Sequence, residues 1–126
     1  MTQILTVDDS NCVREQLRRV VERNPEWEVC GEASDGREAI DKVLGGFPDI
    51  ILLDYRLPVM NGLQAGREIL RLAPQAKILL CSMRVSPHLN EAPRDAGIHG
   101  AASKSEPSQI INAIEALLRC ESFFNV

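Results

Sequence analysis

Five polar residues stand at the ends of short apolar runs, and together they could carry chemistry in this 126-residue chain. Asp8 and Asp9 follow Ile4-Leu5-Thr6-Val7, and Asp54 follows Ile50-Ile51-Leu52-Leu53. Ser82 follows Ile78-Leu79-Leu80-Cys81, and Lys104 follows His99-Gly100-Ala101-Ala102-Ser103. Taken singly, each has a plain structural reading. A carboxylate after a strand is commonly a helix cap, a serine a loop hydroxyl, a lysine a surface charge. Taken jointly, they offer three carboxylates, a hydroxyl and an ammonium. Crowded carboxylates repel, which raises their pKa values unless a cation is present. Oxygen ligands with no His or Cys beside them favour Mg2+ over zinc or copper. A lysine at the same rim is drawn to the cluster and can hold an incoming anion as a point charge. A carboxylate next to a divalent cation and a lysine is suited to attack an electrophilic phosphorus. The cation screens nucleophile from phosphate, and cation plus lysine stabilise the equatorial oxygens of an in-line transfer.

Those five residues meet only if the runs are neighbouring strands. The runs at 4–7, 50–53 and 78–81 are apolar without interruption, as parallel strands covered on both faces are. Glu28-Val29-Cys30-Gly31-Glu32-Ala33 alternates, which suits an edge strand, and 99–103 is a weaker fifth strand. Between them lie helical periods. Val13, Leu17, Val20 and Val21 mark a helix between Asn11 and Asn24, ended by Asn24-Pro25. Ala39, Ile40, Val43 and Leu44 mark a second, stopped by Gly45-Gly46. Leu63, Gly66, Ile69 and Leu70 mark a third, ending near Pro74. A fourth opens at Pro87 but contains Pro93, which costs about 3 kcal/mol inside a regular helix, so a short or kinked helix is expected there. Ile110, Ala113, Ile114, Leu117 and Leu118 mark the fifth, with Ser105 or Ser108 as caps and Pro107 in the first turn. The order βαβαβαβαβα predicts an α/β fold with a parallel sheet, right-handed crossovers and helices on both faces. Sites in such sheets form beyond the carboxyl ends of the strands, where the five polar residues stand.

Asp8-Asp9, Leu53-Asp54-Tyr55-Arg56-Leu57-Pro58-Val59-Met60-Asn61-Gly62, Ser82 and Lys104 together resemble the receiver domain of bacterial two-component response regulators. The resemblance runs over essentially the whole chain, and the segment from Glu28 to Ile40 is similar to the NarL/FixJ subfamily. It implies a flavodoxin-like (βα)5 fold with strand order 2-1-3-4-5. It implies that Asp54 accepts a phosphoryl group from a sensor histidine kinase. Asp9 would bind Mg2+ directly, Asp8 chiefly through water, with Asp54 and the Arg56 backbone carbonyl as further ligands. Lys104 and Ser82 would hold the phosphoryl group. The face made by the fourth helix, fifth strand and fifth helix would then switch. The receiver would span residues 1–121, and 122–126 would begin a linker to a C-terminal helix-turn-helix output domain that controls transcription. Such a domain is expected to be cytoplasmic, with a homodimer possible through the apolar fifth helix, no direct nucleic-acid binding and no membrane contact.

The chain departs from the family pattern at four places. Ala101 stands where these receivers usually carry an aromatic residue, and a methyl group cannot perform the usual rotamer switch. Ser105 replaces the proline after the lysine, so the preceding peptide is expected to be trans or strained. Met83 replaces a small residue and would narrow access to the phosphoryl group. Pro93 disturbs the fourth helix. These departures keep open an alternative, a pseudo-receiver that acts through phosphorylation-independent protein contacts. A dehalogenase-type phosphohydrolase would need a general acid two residues after the nucleophile, where Arg56 stands. No P-loop sequence occurs.

Composition sets the outer bounds. Hydrophobic residues at 44% and charged residues at 25% describe an ordinary globular domain, which excludes disorder and low complexity. Asp and Glu number 18 against 14 Lys and Arg, a net charge of −4 that makes the domain a poor polyanion binder. No apolar run approaches the ~20 residues that span a bilayer, and the first residues lack a signal-peptide pattern. Cys12, Cys30, Cys81 and Cys120 form no Cys-x-x-Cys, and three of the four read as buried thiols in a reduced protein. His88 and His99 are too isolated for a metal site, Trp27 reads as sheet-edge packing and Asp49 as solvated. Asn61-Gly62 reads as a turn in which glycine supplies a positive φ. Phe123 and Phe124 read as exposed apolar surface.

Overall fold

Alternation of apolar runs with amphipathic stretches produces alternation of strands with helices. The computed structural model describes residues 1–83 and 87–124, with 87–90 as backbone only. In chain order these are β1 (Thr2–Val7), α1 (Asn11–Val21), β2 (Trp27–Ala33), α2 (Gly36–Gly46), β3 (Ile50–Asp54), α3 (Gly62–Leu72), β4 (Lys77–Ser82), α4 (Pro87–Asp95), β5 (Gly100–Ser103), α5 (Pro107–Leu118) and β6 (Phe123–Phe124). All strand pairs are parallel, in the order β2-β1-β3-β4-β5-β6. The expected flavodoxin-like order is therefore present, extended by one short strand. Among the described residues no helix is long and apolar enough to cross a membrane.

Side chains of the central strands divide between the two faces with the period of two that a strand imposes. Ile4, Ile50 and Leu52 join Leu17, Val20 and Val21 of α1 and Ile110, Ile114 and Leu117 of α5. Leu5, Val7, Ile51 and Leu53 join Ala39, Ile40 and Val43 of α2 and Ala65 and Ile69 of α3. Full burial of each Ile or Leu contributes about 1.5–3 kcal/mol, so these two layers dominate the fold and pin the register of β1, β3 and β4. Trp27 closes the α1 side at the start of the edge strand β2, as expected.

Several local expectations are corrected. Gly45 and Gly46 do not stop α2 but lie within it; the helix ends at Phe47, whose backbone takes the left-handed conformation at φ 45. The fifth helix is not capped by Ser105 or Ser108: Glu106 is the N-cap residue without a side-chain cap, and Pro107 opens the helix. The first helix stops at Val21, before Asn24-Pro25. Gly62 has no positive φ, because Asn61 caps α3 in an extended conformation, with a capping box to Gln64. Glycine is required there by contact, since a Cβ would stand 2.1 Å from the Asp54 carbonyl oxygen. The thiol reading holds for one cysteine: Cys81 is buried, whereas Cys12, Cys30 and Cys120 are exposed. Cys30 lies on the outward side of an edge strand, where apolar sequence neighbours do not imply cover. The phenylalanine pair is half-buried as β6, and Asn125 and Val126 of the expected linker lie outside the described residues. The peptide before Ser105 is trans. Pro93 sits inside the nine-residue α4, as expected of a short fourth helix.

Candidate functional site

The carboxyl ends of β1, β3, β4 and β5 converge as the sequence demands. β1 delivers Asp8, which is buried, and then Asp9, which is exposed. β3 ends in Asp54, which is buried because the strand is central and Gly62 packs its turn onto the Asp54 carbonyl. Oxygens of Asp8, Asp9 and Asp54 lie within 4.8 Å of one another. Lys104, the first residue after β5, donates from Nζ to Asp8 Oδ2 at 2.8 Å and to Asp54 Oδ1 at 3.0 Å. Its side chain is only 9% exposed, so both ion pairs are largely shielded from solvent. Ser82 ends β4 half-buried, in register with Ser103, and its carbonyl accepts from the Lys104 N–H at 2.7 Å. All five residues singled out from the sequence thus share one rim.

The electrostatics follow from burial. Loss of hydration raises the Asp54 pKa and the neighbouring Asp8 charge adds to it, against the hydrogen bonds from Lys104 and from the Arg56 backbone N–H. For Lys104, burial opposes the ammonium, but hydrogen bonds to Asp8 and Asp54 outweigh it and the net shift is upward. One ammonium among three carboxylates leaves an excess of negative charge. The donor set is all oxygen, two of the carboxylates are buried, and the third opens to solvent, which fits a hard divalent cation such as Mg2+.

Residues that the sequence did not single out hold the acidic turn in place. The Ser10 N–H donates to Asp8 Oδ1 at 2.9 Å while Ser10 Oγ caps α1 at Val13. Arg14 donates to the Asp8 carbonyl and to the Asn11 side chain, and its Nε reaches Glu32 Oε1 at 3.0 Å. Arg18 reaches the other Glu32 oxygen at 3.1 Å, and this bond, with the one from Arg14, holds the Glu32 pKa below its ordinary value. Glu32 lies 18 residues from Arg14 in the chain, so no local spacing announces the clamp.

The departures from the family pattern also take form. Met83 is 60% exposed, and its carbonyl accepts from Ser103 Oγ at 3.2 Å and Ser105 Oγ at 3.4 Å. Ser105 thereby ties the loop after β4 to the end of β5. Val59, in the turn after Asp54, has φ 70, a conformation that β-branched residues rarely adopt.

Residues 4–115 match the model of the response regulator receiver domain. The chain belongs to that family. It is 34% identical over 113 residues to the chemotaxis protein CheY of Thermotoga maritima, covering 89% of this chain and 93% of that protein. It is 36% identical over 81 residues to the transcriptional regulatory protein DegU of Brevibacillus brevis, covering 64% of this chain and 34% of DegU. The chain therefore spans about a third of that longer relative. Among solved structures, a two-component response regulator of the LuxR family from Aurantimonas sp. SI85-9A1 superposes with TM-score 0.93 at 35% identity, covering 98% of this chain and 89% of that one. This receiver thus has LuxR-family structural kin, as the resemblance of its second strand and helix implied.

Proposed function

We propose that this receiver accepts a phosphoryl group on Asp54 from the phosphohistidine of a sensor histidine kinase and passes the change to an output domain. The observation that carries this reading is the part-buried Lys104 ammonium bonded to the buried carboxylates of Asp8 and Asp54, with Asp9 open to solvent beside them. An Asp54 carboxylate oxygen attacks phosphorus and forms an O–P bond. The P–N bond to the donor imidazole breaks, and its electron pair leaves on nitrogen. Lys104 remains at hand to pair with a phosphoryl oxygen, and the Ser82 hydroxyl donates to another. Asp8, Asp9, Asp54 and the Arg56 carbonyl would hold Mg2+, which when bound neutralises the charge between nucleophile and phosphate. Kinship with a transcriptional regulator supports transcription as the output, through a helix-turn-helix domain following residues 122–126, in the cytoplasm. The half-buried Ile111 and Leu118 of α5 would supply a homodimer face.

Acetyl phosphate with Mg2+ provides the test. The chain should incorporate acid-labile, hydroxylamine-sensitive phosphate, and Asp54→Asn should abolish incorporation while remaining folded. A wild-type chain that takes up no phosphate from acetyl phosphate or from a kinase would favour the pseudo-receiver reading.

A further inference from the structure

β5 consists of four small residues, Gly100, Ala101, Ala102 and Ser103, and it serves two neighbours. At its carboxyl end stands Lys104, bonded to Asp8 and Asp54. Along its outer edge lies β6, with Phe123 opposite Gly100 and Phe124 opposite Ala101. The Phe123 N–H donates to the His99 carbonyl at 3.0 Å. The fit leaves no slack, because a Cβ on Gly100 would stand 2.5 Å from the Phe123 carbonyl oxygen. Strand alternation places Phe124 against the layer that holds Ala101, and the Arg94 guanidinium of α4 lies 4.5 Å from the centre of its ring. Phe124 thus brings an aromatic ring beside Ala101, where β5 itself carries only a methyl group. The chain reaches this edge through a defined turn. Glu121 N–H bonds the Ala116 carbonyl at 2.9 Å and Cys120 N–H the Leu117 carbonyl at 3.0 Å, with Cys120 at φ 62.

We propose that the β5 edge and Arg94 of α4 form an intramolecular docking site for the Phe123–Phe124 strand, and that a phosphoryl group on Asp54 loosens it. The inference rests on Asp54 being the phosphoacceptor. A phosphoryl group draws the Lys104 ammonium away from its shared position between Asp8 and Asp54. Ser103, adjacent to Lys104 and bonded to the Met83 carbonyl, moves with it. The two-residue β6 is held by few bonds, so its docked and free forms lie close in free energy. With Gly100 packed against the Phe123 backbone, displacement of β5, or of Arg94, costs the fit rather than improving it. Phosphorylation is then read out as release of the segment that leaves α5.

Amide hydrogen exchange of the whole 126-residue chain, with Mg2+ alone and with Mg2+ plus beryllofluoride as the phosphoryl mimic, tests this directly. Shifts of the Asp54 and Lys104 amides report occupancy of the acceptor site. With the site occupied, the Phe123 amide should exchange at least ~5-fold faster, the range of a modest coupling between two sites. Unchanged or slower exchange at Phe123 in the occupied protein overturns the proposal and leaves the phosphoacceptor reading standing. Absence of any response at Asp54 and Lys104 overturns both. Coupling is reciprocal, so undocking β6 by Phe124→Ala, or independently by Gly100→Ala, should tighten beryllofluoride binding by a similar factor. Phe124→Tyr should restore the wild-type affinity. Equal affinities throughout would also reject the coupling.

Discussion

Lys104 is the residue on which the acidic site depends for its charge balance. Its ammonium is the cation bonded to both buried carboxylates, Asp8 and Asp54, and it is itself nearly covered. Removing one partner of a buried ion pair costs roughly 3–5 kcal/mol, because the remaining charge is left without compensation. Lys104→Met should therefore lower the stability of the metal-free domain by about that amount in urea unfolding. Mg2+ should return part of the loss, since it places a cation among the same oxygens and stabilises only the folded chain. A variant as stable as wild type in EDTA would show that the pairs do not bear on folding. The side chains of this site were legible in the sequence because each follows an apolar run, and strand ends of a parallel sheet share one rim. Ser10, Arg14 and Glu32 were not, because their work is to orient the Asp8-Asp9 turn across α1 and β2. Such contacts depend on tertiary proximity and leave no periodic signal.

At the scale of elements, the strands and helices were legible wherever burial is two-layered, as in β1, β3 and β4. Their ends were not. Gly45-Gly46 reads as a stop, yet glycine inside a helix costs only about 1 kcal/mol, and the last turn of α2 tolerates both before Phe47 turns the chain. The phenylalanine pair reads as exposed because two residues carry no periodicity, while the small side chains of β5 leave room for them. The turn between α5 and β6 places Cys120 where glycine is the usual residue. A residue with a Cβ in that conformation is strained by roughly 1–2 kcal/mol. Cys120→Gly should raise stability by ~0.5–1 kcal/mol, after allowing for the greater freedom of glycine in the unfolded chain. The side chain given up is exposed, with one 3.5 Å contact from Lys77 Nζ, so little is lost with it. A higher urea midpoint with an unchanged slope is the expected result, and a lower midpoint would place the turn under no strain.

Over the whole molecule, the response to pH joins both ends of the sheet. The Cys81 thiol, buried beside Asp54, is pushed up to about 12, chiefly by burial. A raised acid contributes stability that is full below its unfolded value of 9.0 and is lost as pH rises toward 12. The acid side begins at His99, which lies between β4 and β5. Its Nδ1 accepts the Ile78 N–H at 3.1 Å, its own N–H donates to the Ile78 carbonyl, and its carbonyl receives Phe123 of β6. Burial, and then the charge of Lys77, hold its pKa below the ordinary 6.5. A depressed pKa contributes stability present above the unfolded value and lost as pH falls through the folded one. Protonation at Nδ1 would turn the acceptor into a donor facing a donor, opening the junction that also seats β6. Urea unfolding at pH 7.5 and pH 5.5 should therefore show a loss of stability on acidification that is smaller in His99→Gln, whose side-chain oxygen can accept without titrating. The same acidification should speed exchange of the Ile78 and Phe123 amides relative to those of β1 and β3. An equal loss in wild type and variant would move the origin of the acid limb away from this histidine.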